Sequence, residues 1–172
     1  RIVKAVNVPL TYGGRAIFMI QNILPAVLTG YLKGFSLQDI KLALETFIPS
    51  PAQTPGRLNL FEFKDFTVLP AYAHNPAGLR ALKKFVDNIE ATKKVGMIAG
   101  IGDRRLEDNM EIGKIAAEMF DEVIIRQDKN LRGKTSEELI DMLKAGIRQN
   151  HPHKKVTVIP AENEAITYAM KS

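Results

Sequence analysis

Val95-Gly96-Met97-Ile98-Ala99-Gly100-Ile101-Gly102-Asp103-Arg104-Arg105 is the stretch that decides the fold. Its first five residues show no alternation of apolar and polar types, which is the pattern of a strand covered on both faces. Two glycines end the strand, and a charged turn follows. Downstream, a helix is expected from about 107 to 119, with Met110, Ile115 and Met119 on its inner side. The alternation then repeats. Residues 122–126 read as the next strand. Thr135 and Glu138 form a capping box for a helix over 136–149, with Leu139, Ile140, Leu143 and Ile147 inward. Residues 156–159 are another apolar strand, and 162–171 a final helix. Strands of this kind spaced by amphipathic helices imply an α/β fold with a mostly parallel sheet and helices on both faces.

Upstream of residue 95 the pattern changes. Asn75 caps a helix that starts at Pro76 and carries Leu79, Leu82, Phe85, Val86 and Ile89 on its apolar face. Before it, 58–63 and 66–73 read as a hairpin around Lys64-Asp65. Residues 49–56, Pro-Ser-Pro-Ala-Gln-Thr-Pro-Gly, forbid regular structure and mark a domain boundary. Ahead of that boundary a strand is expected at 2–10 and a helix from about 16 to 33, with Ile20, Ile23, Leu24, Val27, Leu28 and Leu32 at helical spacing and Pro25 as a cost. Ser36 caps a second helix over 37–48, with Leu37, Ile40, Leu44 and Phe47 on its buried face. The expected domains are therefore 1–56 and 57–172. Ile2-Val3 reads as the inside of a strand and the last residues as a helix stopped in mid-course, so both ends read as cut.

The 172 residues are 45% hydrophobic and 25% charged, an ordinary balance for a soluble protein. Without cysteine, disulfides and thiolate metal sites are excluded. Of the three histidines, His151 and His153 flank Pro152 beside lysines and read as a solvated turn, leaving His74. No apolar run is long enough to span a bilayer, so a cytoplasmic setting without membrane contact is the default. The net charge of +5 is scattered and mixed with acids. Nucleic-acid binding is a weak reading of it, and a basic surface near an anionic substrate such as ATP suits it as well.

Ligands of open parallel sheets bind beyond the carboxyl ends of the strands. Three polar segments qualify: 71–76, 100–105 and 126–133. Together they would form one rim with several cations, suited to an anion or a carboxylate. Each also has a plain reading. Asn75 is first a helix cap, His74 a packing residue, and the basic 129–132 loop a solvated face. No Gly-x-x-x-x-Gly-Lys-Ser/Thr phosphate loop occurs, and Gly13-Gly14-Arg15 cannot replace it. No nucleophile–base pair with a supporting third group is visible. The residues by themselves thus define an α/β binding domain attached to the end of another domain.

At Thr54-Pro55-Gly56-Arg57-Leu58-Asn59 and Tyr72-Ala73-His74-Asn75-Pro76 the chain resembles the Mur ligase superfamily, whose members join amino acids or peptides through acyl phosphates. Ser50-Pro51-x-Gln53-Thr54-Pro55-Gly56-Arg57, Gly102-Asp103-Arg104-Arg105-x-Glu107-Asp108 and Asp128-x-x-Leu131-Arg132-Gly133 resemble its cyanophycin synthetase branch. The resemblance implies that 1–56 are the end of the central ATPase domain and 57–172 the Rossmann-like C-terminal domain. It implies ATP and Mg²⁺, with the phosphate loop and metal ligands outside this chain, and no metal ligand or catalytic residue within it. It further implies addition of arginine to the aspartate side chains of an aspartate-based polymer, and a homo-oligomer. The other readings are another Mur-type ligase, acting on muramyl peptides or folylpolyglutamate, or a degenerate binding module.

Carried over by position, Asn22 matches the second asparagine of an adenine-side helix motif, Arg57 the hinge arginine near the nucleotide, and His74 and Asn75 the loop over ribose and phosphates. Asp103, Arg104, Arg105, Asp128 and Arg132 match loops that recognise the incoming amino acid; a carboxylate at 103 or 128 can take a guanidinium bidentately. Two positions depart from the pattern. Ala71 stands where the family has an aspartate, and Phe18-Met19 where it has His-Asn. Each change removes a side-chain hydrogen bond to nucleotide, worth on the order of 1 kcal/mol.

Overall fold

A computed structural model describes residues 1–172. The chain divides into two compact units, Arg1–Tyr72 and Ala73–Ser172.

The second unit contains the parallel sheet. Strands β3 (Val95–Ala99), β4 (Glu122–Arg126) and β5 (Lys155–Val158) lie in the order β3-β4-β5, all parallel, with Val95 opposite Glu122 and Glu122 opposite Lys155. Helices α3 (Pro76–Val86), α4 (Leu106–Met119), α5 (Ser136–Asn150) and α6 (Glu162–Lys171) surround it. The two-residue period of a strand assigns the faces. Gly96 backs onto the Phe120 ring at the end of α4, and a side chain at Gly100 would meet Leu139 of α5, so this face carries α4 and α5. Glu122 and Arg126 point the other way, toward Tyr168 and Glu162 of α6. Helices on both faces explain why Val123, Ile124 and Ile125 are completely buried.

α4 and α5 meet backbone to backbone. Gly113 sits on the Leu143 carbonyl and Gly146 on the Met110 carbonyl, so close that a methyl group at either would overlap the oxygen. Ile112, Ile115, Leu139, Leu143 and Ile147 fill the space around this contact. The capping box at Thr135 and Glu138 starts α5, and the Asn75 side chain accepts the Gly78 N–H at 2.7 Å to start α3, both as the sequence implies.

Glu122 is a buried carboxylate at the start of β4. Lys93, Lys155 and Tyr168 each donate a hydrogen bond to it at 2.9 Å. Burial pushes its pKa up, but the bonds from Lys155, Lys93 and Tyr168 overcome that and bring it down from 4.5 to about 2.

The first unit departs from expectation in three respects. No strand forms at 2–10. The segment folds into two 3-10 turns, Ala5–Asn7 and Pro9–Thr11. The buried Thr11 hydroxyl lies 2.6 Å from the Ala5 carbonyl and accepts the Gly14 N–H at 3.0 Å, bending the chain back where a strand would need a partner. The hairpin is reduced to β1 (Phe61–Glu62) and β2 (Thr67–Val68), closed by the stacked rings of Phe63 and Phe66. Its second arm therefore ends a separate two-stranded sheet, not a strand of the parallel sheet. Finally, α1 (Ile17–Leu32) runs unbroken through Pro25 but buries no residue, and α2 (Leu37–Thr46) buries only Ile40. Leu24, Leu28, Leu32, Leu37 and Phe47, expected inside, are exposed.

Candidate functional site

The nucleotide-side candidates fall on three local structures. Gly56, with φ +68, turns the chain so that Arg57 pairs with Ala71 in a single antiparallel bridge and the Tyr72 N–H donates to the Gly56 carbonyl at 3.0 Å. Across that bridge the Arg57 guanidinium lies over the exposed Tyr72 ring, 4.9 Å from its centre. A cation held on an aromatic face keeps its N–H groups in plane and available to an anion. Pro55, Gly56, Arg57, Pro70, Ala71 and Tyr72 line an open cleft of 220 Å³. That is smaller than the roughly 300–1,000 Å³ of a complete small-molecule pocket. Asn22 is exposed on α1, outside that lining, with its amide 3.7 Å from the Met19 sulfur. His74 is half-buried, and the Asn75 side-chain oxygen is committed to the cap of α3.

The amine-side candidates are brought together at the carboxyl ends of β3 and β4. Gly102 packs against the Leu131 carbonyl, where any side chain would overlap the oxygen, so the 100–105 and 126–133 loops are in backbone contact. Asp103 and Arg132 bridge the two loops in an ion pair of 2.9 Å, each about half exposed. Arg132 and Gly133 both adopt left-handed backbone, φ 49 and 86, and Asn130 stabilises that turn by accepting the Arg132 N–H at 3.0 Å. Asp128 pairs with Arg126 at the end of β4, whose Nε also lies 3.7 Å from Glu162. Arg105 turns away to Asp108, donating to both its oxygens at 3.1 Å, which raises the Arg105 pKa and lowers that of Asp108. Arg104 is half-buried, with its Nε shielded from solvent and without a hydrogen-bond partner.

Each candidate acid at this rim thus already holds one of the chain's own arginines. The arrangement is a set of exchangeable carboxylate–guanidinium pairs, able to admit a ligand bearing either group by swapping partners. No group of three or more His, Asp or Glu side chains that could hold a metal ion occurs.

Three residues that shape these loops escaped the sequence reading of the site. Tyr72 was noted only as part of a motif, because stacking under Arg57 depends on the 57–71 bridge. Gly102 reads in the sequence only as one of two glycines that end the strand, whereas its lack of a side chain serves the approach of Leu131. Asn109 is fully buried in α4. The signal for it was present: an amide at an inward helical position, one turn before Ile112.

Residues 56–172 match the family described as Mur ligase, glutamate ligase domain. Over 170 residues the chain is 43% identical to the cyanophycin synthetase of Crocosphaera subtropica, covering 99% of this chain and 19% of that one. It is 30% identical over 158 residues to a UDP-N-acetylmuramoyl-L-alanyl-D-glutamate--2,6-diaminopimelate ligase of Caldanaerobacter subterraneus, covering 91% and 31%. Among solved structures, MurF from Acinetobacter baumannii superposes with a TM-score of 0.64 at 21% identity, over 88% of this chain and 30% of that one. A folylpolyglutamate synthase from Thermotoga maritima gives 0.56 at 23% identity, over 77% and 28%. The chain spans about a fifth of the length of the cyanophycin synthetases it matches.

Proposed function

The chain belongs to the Mur ligase family through its glutamate ligase domain, and from that premise we propose that it is the nucleotide-closing and amine-recognising part of an ATP-dependent amide-forming ligase. The intact enzyme adds arginine to the aspartate side chains of a polyaspartate backbone in the cytoplasm. The observation that carries this reading is the 43% identity to a cyanophycin synthetase across 99% of the chain, which includes both rim loops. Residues 57–172 form the C-terminal domain, and 1–56 the end of the ATPase domain. The apolar, exposed surfaces of α1 and α2 support the second assignment, since a helix as apolar as α1 is normally covered.

In such a ligase ATP would convert a carboxylate to an acyl phosphate that an amine attacks, releasing phosphate, and Mg²⁺ would supply charge neutralisation to the nucleotide. The residues here position the partners. Arg57, held on Tyr72, offers a cation to the nucleotide. Arg132 is suited to the carboxylate of the incoming amino acid, and Asp103 to its guanidinium once their mutual pair opens. Ala71 offers the ribose no side-chain acceptor, so nucleotide affinity is reduced at that point. The chain by itself, with no phosphate loop in its sequence, does not turn over ATP.

The test is the product made by the intact protein from ATP, arginine and an aspartate polymer. Arginine joined by amide bonds, with phosphate released in equal amount, supports the reading. Turnover only with a muramyl peptide or a folate substrate would replace it by another Mur-type ligase, in keeping with the 30% identity to the diaminopimelate ligase. Absence of amino-acid-dependent turnover would favour a non-catalytic module, which Met19 and Ala71 would explain.

A further inference from the structure

Asn109 is completely buried in α4 and has no part in the chemistry above. Burying an amide without partners costs on the order of 1–3 kcal/mol, so its hydrogen bonds are informative. The side-chain oxygen accepts the Ile101 N–H at 2.9 Å, and the side-chain nitrogen donates to the Ile101 carbonyl at 3.0 Å. This is the pair of bonds a neighbouring strand would make, applied one residue past Gly100 after β3 has ended. The same nitrogen lies 3.4 Å from the Arg105 carbonyl. One side chain therefore ties down both ends of the segment that carries Asp103, Arg104 and Arg105.

That segment in turn contacts the second loop. Gly102 rests on the Leu131 carbonyl, and Asp103 reaches Arg132 at 2.9 Å. Arg132 is held in its left-handed turn by Asn130. A continuous line of contacts thus runs from the buried Asn109 amide to the charged groups of both loops. We propose that Asn109 is the positioning residue of this rim, presetting the two loops as one body so that the guanidinium and carboxylate groups are spaced before an amino acid arrives. It touches no substrate, and the inference rests on the reading of the rim as an amino-acid site.

The experiment measures steady-state kinetics of the intact ligase with arginine varied at saturating ATP, and then the reverse. Asn109→Ala is expected to raise the KM for arginine about tenfold or more, as small misplacements of binding groups do, while the KM for ATP stays within about twofold. Gly102→Ala, which forces the loops apart by overlap with Leu131, should have the same effect. The double variant should be less impaired than the product of the two single effects, because both release the same contacts. Asp103→Ala separates the two levels of inference. If it raises the KM for arginine and neither Asn109→Ala nor Gly102→Ala does, the positioning role is wrong while the site reading stands. If none of the three changes it, both fall. Hydrogen exchange gives an arm independent of turnover. Asn109→Ala should speed exchange in 100–105 and in 128–133 together, and faster exchange confined to 100–105 overturns the proposal.

Discussion

Replacing Glu122 by glutamine should weaken the hold of β4 on α6 and β5 without disturbing either loop of the rim. The carboxylate is 1% exposed, and its two lysine partners are 37% and 61% exposed. Its pKa of about 2 lies below the ordinary 4.5, so the unfolded state binds a proton more readily than the folded one. The stabilisation is therefore fully present above pH 4.5 and is lost as pH falls toward about 2. Such a shift corresponds to at most about 3 kcal/mol at neutral pH. The glutamine keeps one acceptor and the lysines re-solvate readily, which brings the expected loss to about 2 kcal/mol. Hydrogen exchange followed by mass spectrometry reads this locally, without assuming that both units unfold together. Peptides from β4 and α6 should exchange about thirtyfold faster in Glu122→Gln at pH 7. In urea unfolding, the gap between the two proteins should shrink to less than half by about pH 3, where the wild-type carboxylate is losing its advantage. Equal protection at pH 7, or a gap that does not change with pH, would refute the reasoning.

Three other changes test separate contacts. Gly146→Ala should lower stability by about 1–2 kcal/mol in urea unfolding, because overlap with the Met110 carbonyl outweighs the roughly 1 kcal/mol that alanine gains in a helix; a stabilised variant would mean that α4 and α5 are not in backbone contact. Thr135→Ala removes the hydroxyl that accepts the Glu138 N–H and should cost about 1 kcal/mol, seen as faster exchange in the first turn of α5 only. Ala71→Asp in the intact protein should tighten ATP binding about fivefold by calorimetry, the value of one restored hydrogen bond of about 1 kcal/mol; unchanged affinity would show that position 71 is not where nucleotide contacts are lost.

The secondary structure of residues 75–171 was legible because its signals are local. Asn75-Pro76 and the Thr135–Glu138 box fix helix starts through bonds within one turn. The apolar strand 122–126 is buried on both faces, whereas 95–99, equally free of alternation in sequence, buries Gly96 and Ile98 and leaves its other residues half-buried. The strand expected at 2–10 failed for the complementary reason: its apolar residues are compatible with a strand, but the ladder needs a partner, and Thr11 supplies turns instead. The inward faces assigned to α1 and α2 were periodic in the sequence, yet periodicity says which residues share a side and not whether anything covers it.

The candidate site divides in the same way. Asp103, Asp128, Arg105 and Arg132 could be named from the sequence, because charged residues after apolar strands fall at the carboxyl edge of a parallel sheet. Their pairing could not, since Asp103 meets Arg132 across 29 positions and Asp128 takes Arg126, at the end of β4, rather than an arginine of the other loop. By itself the sequence determined the type of the elements from residue 75 onward and the chemical character of the rim, both set by neighbours within a few residues. Only the tertiary structure decided that Asn109 holds one loop, that Gly102 joins it to the next, and that every acid there already has an arginine. Those facts depend on how the loops fold back on α4 and on each other, over separations of 2 to 29 positions, which packing alone establishes.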